Sequence, residues 1–256
     1  MKSAIVIPAR YGSQRLPGKP LLRATGKYLV QHVYERARQS RRADKVVVAT
    51  DDPRIRAAVE SFGGDVVMTR RDHPSGTDRV AEVAAHLDAD VIVNLQGDEP
   101  MVDPAALDLL LGLLEQEPNA DMATLATPIR SLEQWRNPNC VKVVCDRLGR
   151  ALYFSRSPLP YVRDGEPDLV GRPGEFLLHL GLYAYRRPVL FRLAAAAPEP
   201  LETFEKLEQL RALAHGYRIH VGRVEQAAGG VDTFEDYQRF VEAHQQRPRL
   251  GAERAA

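Results

Sequence analysis

The chain has 256 residues, of which 44% are hydrophobic and 27% charged, a length that fits one large α/β domain or two small ones and can bury a substantial core. The formal net charge of +1 excludes a protein that depends on a broad basic surface to bind nucleic acid. The two cysteines cannot build a disulfide framework and no apolar run approaches the ~20 residues that span a bilayer, so we expect a cytoplasmic protein without membrane insertion.

Strand and helix patterns alternate through the first half of the chain. The apolar run at residues 4–7 is shorter than the apolar segment of a signal peptide, and it predicts a strand that ends at Pro8. Such alternation predicts a Rossmann-like, mostly parallel sheet with helices on both faces, in which ligands bind at the carboxyl ends of the strands. The other predicted elements are strands at residues 45–49, 66–68 and 90–96, and helices at 29–37, 55–62, 80–87 and 103–114.

The second half of the chain has a different pattern. Residues 141–146 and 151–155 predict a β-hairpin across the turn sequence Arg-Leu-Gly-Arg, and the aperiodic residues 157–175 predict a long loop. We therefore expect one domain over residues 1–246, with an inserted hairpin lobe at about 138–187, and a disordered tail at 247–256. The remaining predicted elements are strands at 180–185 and 219–224 and helices at 189–197, 201–214 and 234–243.

A basic, glycine-containing loop follows the first predicted strand. Glycine lets the backbone approach an anion closely, and arginine and lysine bind phosphate oxygens through charge-assisted hydrogen bonds. The spacing matches neither the dinucleotide fingerprint nor the Walker A motif. Basic loops are more often simply solvated, but the position at the end of a buried strand favours an anion site for a polyphosphate. The residues of this loop are Arg10, Gly12, Ser13, Arg15, Gly18 and Lys19.

Two acidic positions are candidates for a metal site. Asp98 follows the predicted strand at 90–96, and a carboxylate there, facing a phosphate loop, is where Mg²⁺ would bind. The alternative for Asp98 is an ordinary Gly-Asp turn. Asp232 and Glu235 have the spacing of a helix N-cap and its partner, so a structural role accounts fully for Asp232 unless other observations point to metal binding.

The predicted strand around His179 alternates between two faces. His179, Gly181, Tyr183 and Tyr185 share one face, which can bind a polyol or can be a half-exposed sheet surface, the commoner case. The histidines form no zinc-hydrolase spacing and there is no G-x-S-x-G elbow, so neither class of hydrolase is expected.

The ordered set of these motifs resembles the 3-deoxy-manno-octulosonate cytidylyltransferase family from residue 5 to about residue 237. One motif alone would suit several sugar nucleotidylyltransferases, whereas the ordered set is specific. The resemblance implies the fold of nucleotide-diphospho-sugar transferases. The matching segments are 7–11, 15–21, 75–79, 94–100, 137–139, 151–156, 179–183, 207–211 and 230–233.

The resemblance implies a reaction in which CTP and the sugar acid Kdo (3-deoxy-D-manno-octulosonate) give CMP-Kdo and pyrophosphate for lipopolysaccharide biosynthesis. It assigns Mg²⁺ to Asp98 and Asp232, and it assigns catalytic roles to Arg10, Arg15, Lys19 and Asp98. CTP carries about four negative charges, so local cations are needed even in a neutral protein. The implied nucleotide-binding residues are Ala9, Arg10, Ser13, Arg15, Lys19, Ser75 and Arg79.

The family's sugar pocket maps to further residues of this sequence. Arg156 suits the sugar carboxylate, and His179 and Tyr183 suit its hydroxyl groups. The family also implies a homodimer, for which the hairpin lobe is the expected interface. The implied sugar-binding residues are Gln96, Arg156, His179, Tyr183, Glu208 and Gln209.

Two alternatives to this function stay open. Another acidic sugar, such as an 8-amino Kdo, could be the substrate, although the sequence at 179–183 and 207–210 favours Kdo over sialic acid. A catalytically silent nucleotide-binding regulator on the same fold is the other alternative, because fold does not fix function. The presence of Arg10, Arg15, Lys19, Asp98 and Asp232 argues against a silent protein.

Overall fold

Nine strands form one mixed sheet within residues 1–12, 16–227 and 229–246, the part of the chain that the computed structural model describes. Their order across the sheet is β3-β2-β1-β4-β8-β5-β9, with β6 paired to β7 and β8, where the strands are β1 (Ser3–Ala9), β2 (Lys45–Thr50), β3 (Val66–Met68), β4 (Val91–Asn94), β5 (Met122–Pro128), β6 (Lys142–Cys145), β7 (Ala151–Ser155), β8 (Leu177–Arg186) and β9 (Ile219–Arg223). β1 to β4 pair in parallel, whereas β8 is antiparallel to all three of its partners, β4, β5 and β6. The predicted α/β class with a mostly parallel sheet is confirmed.

Helices cover both faces of this sheet. They are α1 (Leu29–Ala37), α2 (Pro53–Ser61), α3 (Gly76–Ala84), α4 (Pro104–Gln116), α5 (Leu132–Arg136), α6 (Arg187–Ala195), α7 (Pro200–Glu205), α8 (Gln209–Ala214) and α9 (Phe234–Gln246). Side chains alternate along β1, so Ile5 and Ile7 belong to the core layer that α1, α2 and α4 cover, whereas Ala4 and Val6 belong to the layer that α3, α6 and α8 cover. In the described part of the chain, no helix is both long and apolar enough to cross a bilayer.

The order of the strands reverses at β1. The chain runs from β1 outward through β2 and β3, then returns to place β4 on the other side of β1. A crevice therefore opens beyond the carboxyl ends of β1 and β4, which is where ligands bind in open parallel sheets. The basic loop follows β1 and the Asp98 loop follows β4, so the topology brings both to this crevice.

Some predicted boundaries are wrong at this edge of the sheet. Pro8 does not end the first strand but lies inside β1, paired with Ala49 of β2. It is tolerated because the pairing of β1 with β4 ends at Val6 and Asn94, so the N–H that proline lacks has no strand partner on that side. The strand predicted to reach Gln96 ends at Asn94.

The helix predicted at 201–214 is also wrong, because the chain forms two shorter helices, α7 and α8, separated at Lys206. Lys206 has a φ of 53°, a left-handed conformation that ends α7. Leucines recur at helical spacing through both helices, so the sequence pattern does not indicate the break at Lys206. β5 and α5 were not predicted, since the Ala- and Thr-rich run of β5 has little hydrophobic signal of its own.

Candidate active site

The ammonium of Lys19 lies between two carboxylates at the crevice. Its Nζ is 2.7 Å from Oδ2 of Asp98 and 3.4 Å from Oδ1 of Asp232, and it donates a 2.9 Å hydrogen bond to the carbonyl oxygen of Val231. The Lys19 side chain is only 12% exposed, so these charges interact more strongly than they would in bulk water. The sequence predicted Lys19 as a phosphate ligand, but its pairing with both predicted metal ligands was not foreseen.

Glu99 is a third carboxyl group at this cluster. Burial raises its pKa to about 7, and the neighbouring negative charges of Asp98 and Asp232 act in the same direction. Sequence reasoning quoted Glu99 as part of the motif at 96–100 but gave it no role. In the sequence, only its position next to Asp98 could have indicated that Glu99 belongs to the carboxylate cluster, because the approach of Asp232 depends on the fold.

Gly97 is the point at which the loop after β4 touches β1. A Cβ atom at position 97 would lie 2.8 Å from the carbonyl oxygen of Pro8, which is a backbone atom and cannot rotate away. We therefore expect Gly97→Ala to push the two loops apart and to lower the free energy of unfolding by about 1–3 kcal/mol, the usual cost of overpacking. Urea unfolding measures this change.

Gly76→Ala is the matched control for Gly97→Ala. A Cβ atom at position 76 would also face Pro8, but at 3.7 Å from its ring, an ordinary contact distance. Gly76 is in the first turn of α3, where alanine is well accepted. Equal stability of the two variants would contradict the proposed close approach at Gly97.

The basic loop is described only at its two ends. Arg10 is exposed and its Nη2 donates a 3.2 Å hydrogen bond to the carbonyl oxygen of His73, while Ala9 is buried at the end of β1. Ser13 and Arg15, both predicted nucleotide ligands, lie outside the described residues. The described ends place Arg10 and Lys19 at the same crevice as Asp98.

Asp232 does not cap the helix that follows it, so the capping role that its spacing suggested is wrong. The N-terminus of α9 is capped one residue later, where the backbone N–H of Asp236 donates to Oγ1 of Thr233 and Oδ2 of Asp236 accepts from the backbone N–H of Thr233. The α9 side chains Tyr237 and Phe240 pack with Leu16 and Leu29, which holds the helix against the base of the basic loop. The Asp232 carboxylate thereby reaches Lys19.

Ser75 and Arg79 both belong to α3 but have different surroundings. Ser75 caps the helix and forms a capping box with Asp78. The Arg79 side chain is fully buried, hydrogen-bonded to Thr69, with its Nη2 3.1 Å from Oδ2 of Asp51. This ion pair lacks hydrogen-bond alignment, since Nη2 and Nε form no hydrogen bond within the described residues. The structure therefore shows Arg79 paired with Asp51 beneath the crevice.

Two neighbouring cavities open beside the charged cluster, with volumes of about 500 Å³ and about 240 Å³. Gln96, Tyr183 and Gln209 line both cavities and so form the wall between them. Nε2 of Gln209 is buried without a hydrogen-bond partner among the described residues, which leaves a donor available for a polar ligand. The larger cavity also contains His179, Glu99 and Asp232, so it is continuous with the carboxylate cluster.

His179 is neutral at physiological pH. Burial lowers its pKa to about 3, and its Nε2 lies 2.9 Å from Oγ1 of Thr124. Its ring contacts Tyr183, with centroids 5.4 Å apart, and Tyr183 in turn contacts Tyr185, so the three side chains share one face of β8 as predicted. This face lines the cavities and is not a solvated sheet surface.

The buried, neutral state of His179 predicts sensitivity to acid. An unfolded histidine binds a proton below its ordinary pKa of 6.5, whereas folded His179 resists protonation until about pH 3, so its contribution to stability is complete above pH 6.5 and is lost as the pH falls. His179→Gln removes this group. Between pH 7 and pH 5 we expect the free energy of unfolding to fall by about 2 kcal/mol more in the wild type than in the variant, as measured by urea unfolding. Equal losses would contradict the buried neutral histidine.

Of three further polar residues in this region, two line the smaller cavity and one lines neither. Arg156 is not among the residues that line either cavity, and its guanidinium donates to the carbonyl oxygens of Glu205, Pro138 and Lys206. Glu208 lines the smaller cavity and accepts a 2.7 Å hydrogen bond from Oγ1 of Thr77. Lys206 also lines the smaller cavity and was missed, because only the unforeseen break between α7 and α8 brings it there.

The carboxylates of Asp98 and Asp232 fit a magnesium ion whose other ligands come from a substrate and from water. Among the residues that the structure describes, no three His, Cys, Asp or Glu side chains converge as a complete metal cage. Mg²⁺ in phosphate-handling sites takes one or two carboxylates and fills its other positions with phosphate oxygens and water. Asp98 and Asp232 provide such a pair, held within 3.4 Å of one ammonium group.

Comparison with known proteins finds one family and relatives of one name that match most of the chain. The family profile described as Cytidylyltransferase matches residues 4–219. A 3-deoxy-manno-octulosonate cytidylyltransferase from Syntrophotalea carbinolica is 51% identical over 95% of this chain and 98% of its own length. The protein of the same name from Pelobacter propionicus is 53% identical over 92% of this chain and 94% of its own length.

Solved structures agree with the sequence relatives. A CMP:2-keto-3-deoxy-manno-octonic acid synthetase complexed with CTP superposes with a TM-score of 0.90 at 46% identity, covering 96% of this chain and 99% of that one. A 4-diphosphocytidyl-2C-methyl-D-erythritol synthase from Anaerococcus prevotii has a TM-score of 0.62 at 14% identity, covering 96% and 99%, and shows the shared fold alone.

Proposed function

Because the chain belongs to the 3-deoxy-manno-octulosonate cytidylyltransferase family, we propose that it transfers the cytidylyl group of CTP to Kdo, giving CMP-Kdo and pyrophosphate for lipopolysaccharide biosynthesis. The observation that carries this proposal is the cluster of Lys19, Asp98 and Asp232 at the strand switch point, next to a cavity that the polar side chains Gln96, His179 and Gln209 help to line. Both reactants are anions, so the site must offset negative charge while it holds two polar molecules side by side.

The loop after β1 binds the triphosphate in this proposal. Arg10, Ser13, Arg15 and Lys19 hold its oxygens, and their fixed positive charge stabilises the charge that grows on the departing pyrophosphate. Ala9 and Ser75 lie beside the nucleotide. Arg79 supports this region from below, since its charge is directed at Asp51.

In this proposal Asp98 and Asp232 would hold Mg²⁺, which would supply positive charge near the reacting phosphate and would lower the pKa of the attacking sugar hydroxyl. Lys19, whose ammonium pairs with both carboxylates in the structure, turns toward phosphate oxygens when the triphosphate is bound. No protein side chain is assigned as the general base.

The two cavities receive the sugar acid. His179, Tyr183 and Gln96 face its hydroxyl groups, Gln209 offers the amide donor that has no partner, and Glu208 accepts from the far end of the sugar. Arg156 does not line either cavity and donates to backbone carbonyl oxygens, so its expected contact with the sugar carboxylate requires it to release one of those acceptors.

Exposed apolar side chains support a homodimer through the hairpin lobe. Leu148 is 66% exposed and Leu152 62% exposed, and both belong to the hairpin that β6 and β7 form. Isolated exposed leucines are ordinary, and these two mark the face of the hairpin at which we place the subunit contact. Sedimentation of the wild type tests the dimer. A cytoplasmic location agrees with the two unpaired cysteines, Cys140 and Cys145.

Pyrophosphate release is the test of the proposed function. Incubation with CTP, Kdo and Mg²⁺ is expected to release pyrophosphate, with little release when another nucleoside triphosphate replaces CTP. Release with an 8-amino analogue but not with Kdo would overturn the substrate assignment. Nucleotide binding without release for any sugar acid would instead support the silent regulator.

A further inference from the structure

The hydroxyl group of Thr124 lies at an irregularity between β5 and β8. The pairing shifts between Thr124, opposite Tyr183, and Leu125, opposite Leu180, so Gly181 and Leu182 of β8 have no partner in the ladder. Oγ1 of Thr124 is 2.8 Å from the carbonyl oxygen of Leu182, 3.1 Å from that of Leu180 and 2.9 Å from Nε2 of His179. Thr124 is fully buried, so water cannot replace any of these contacts.

Thr124 has a single hydroxyl proton but three possible hydrogen-bond partners. Carbonyl oxygens only accept hydrogen bonds, so the Thr124 proton must point at Leu180 or Leu182 to avoid placing oxygen lone pairs against each other. If Nε2 of His179 carried no proton, it would compete for the same hydroxyl proton and leave both carbonyls facing an unprotonated oxygen. The consistent arrangement has a proton on Nε2, which donates to Thr124, and none on Nδ1.

The other neighbours of His179 do not select a tautomer. The rings of Phe154 and Tyr183 pack on the imidazole, with centroids 4.8 Å and 5.4 Å away, and fix its plane without distinguishing one nitrogen from the other. Nδ1 forms no hydrogen bond to the residues that the structure describes, and His179 lines the larger cavity.

We propose that Thr124 is a positioning residue that fixes His179 in the Nε2–H tautomer, so that Nδ1 accepts a hydrogen bond from a hydroxyl group of the sugar acid. This inference rests on the proposed function, since the sugar acid is the occupant of the cavity. It gives the cavity one acceptor at His179 and one donor at Gln209, so the ligand must present a hydroxyl donor and an oxygen acceptor at matching positions.

Nitrogen-15 spectra of histidine-labelled protein test the tautomer without any substrate. The wild type is expected to show His179 protonated at Nε2, assigned by comparison with His179→Gln. Thr124→Val keeps the side-chain shape but removes the acceptor, and we expect its His179 to populate the other tautomer. Thr124→Ser keeps the hydroxyl and is expected to restore the wild-type signal. A wild-type proton on Nδ1 would overturn the proposal.

Kinetics test the consequence for the sugar. We expect Thr124→Val to raise the KM for Kdo by up to about tenfold, the value of one hydrogen bond, with the KM for CTP unchanged and Thr124→Ser close to wild type. Thr127→Val is the matched control, because Thr127 is a buried threonine of the same strand whose hydroxyl, among the described residues, donates only to the carbonyl oxygen of Glu225. An unchanged tautomer and an unchanged KM for Kdo in Thr124→Val would overturn the proposal.

The two proposals fail in different ways. If the wild type releases no pyrophosphate with any sugar acid, the proposed function fails, while the spectra still decide the tautomer of His179. If the wild type is active and Thr124→Val raises the KM for both substrates equally, the role of Thr124 is general support of the strand, and the positioning role is rejected.

Discussion

Asp98→Asn is expected to lower kcat for pyrophosphate release by at least about 100-fold, the scale of losing a key electrostatic contact in a transition state. The amide keeps the size of the side chain but removes the negative charge that would bind the metal. Lys19 still pairs with Asp232, so the fold is expected to persist. Steady-state kinetics at saturating Mg²⁺ measure the loss, and thermal unfolding shows that the variant is folded.

Asp121→Asn is the matched control for the Asp98 variant. Asp121 precedes β5, at the edge of the sheet away from the crevice, and its Oδ2 accepts a 2.9 Å hydrogen bond from the backbone N–H of Arg218. An asparagine oxygen can accept the same bond, so kcat is expected to stay at the wild-type value. Activity of Asp98→Asn close to that of Asp121→Asn would reject the metal-binding role of Asp98.

Arg79→Met is expected to lower the free energy of unfolding by about 1–3 kcal/mol, because it leaves the partly exposed Asp51 carboxylate without its cation. Arg79 is fully buried, and Thr69 also loses the donor that it faces. Urea unfolding measures the effect. Asp51→Asn made in the Arg79→Met background is expected to cost less than in the wild type, which isolates the pairwise coupling.

The same variant separates structural support from nucleotide binding. If Arg79 acts by supporting the crevice, the folded fraction of Arg79→Met binds CTP with a KM near that of the wild type. Unchanged stability together with a raised KM for CTP would contradict the buried ion pair and favour direct contact with the nucleotide.

Local patterns predicted much of the fold. The βα alternation gave the sheet and its carboxyl edge, and Asp52 and Asp103 cap α2 and α4 at the positions where capping residues precede proline. The break at Lys206 could not be predicted, because it depends on one residue adopting a left-handed conformation within continuous leucine spacing. β5 was missed because its strand character comes from two flanking partners.

The candidate site was predictable as a set of residues but not as an arrangement. Motifs identified Lys19, Asp98 and Asp232 separately, and only the fold shows that one ammonium joins them. The pKa of Glu99 and the neutral state of His179 depend on burial and on charges from distant segments, which no local pattern contains. Thr124 had no signal, since its role comes from a shift in strand pairing.

The contacts of Lys19 also constrain when the enzyme becomes active during its synthesis. Lys19 bonds to Asp98, 79 positions later, and to Val231, 212 positions later. The segment around residue 231 leaves the ribosome long after β1 to β4, so a nascent chain can fold its parallel strands early but cannot yet assemble the charge cluster. A chain that stops before residue 231 lacks both Val231 and Asp232, so it is expected to fold its parallel strands without an active site.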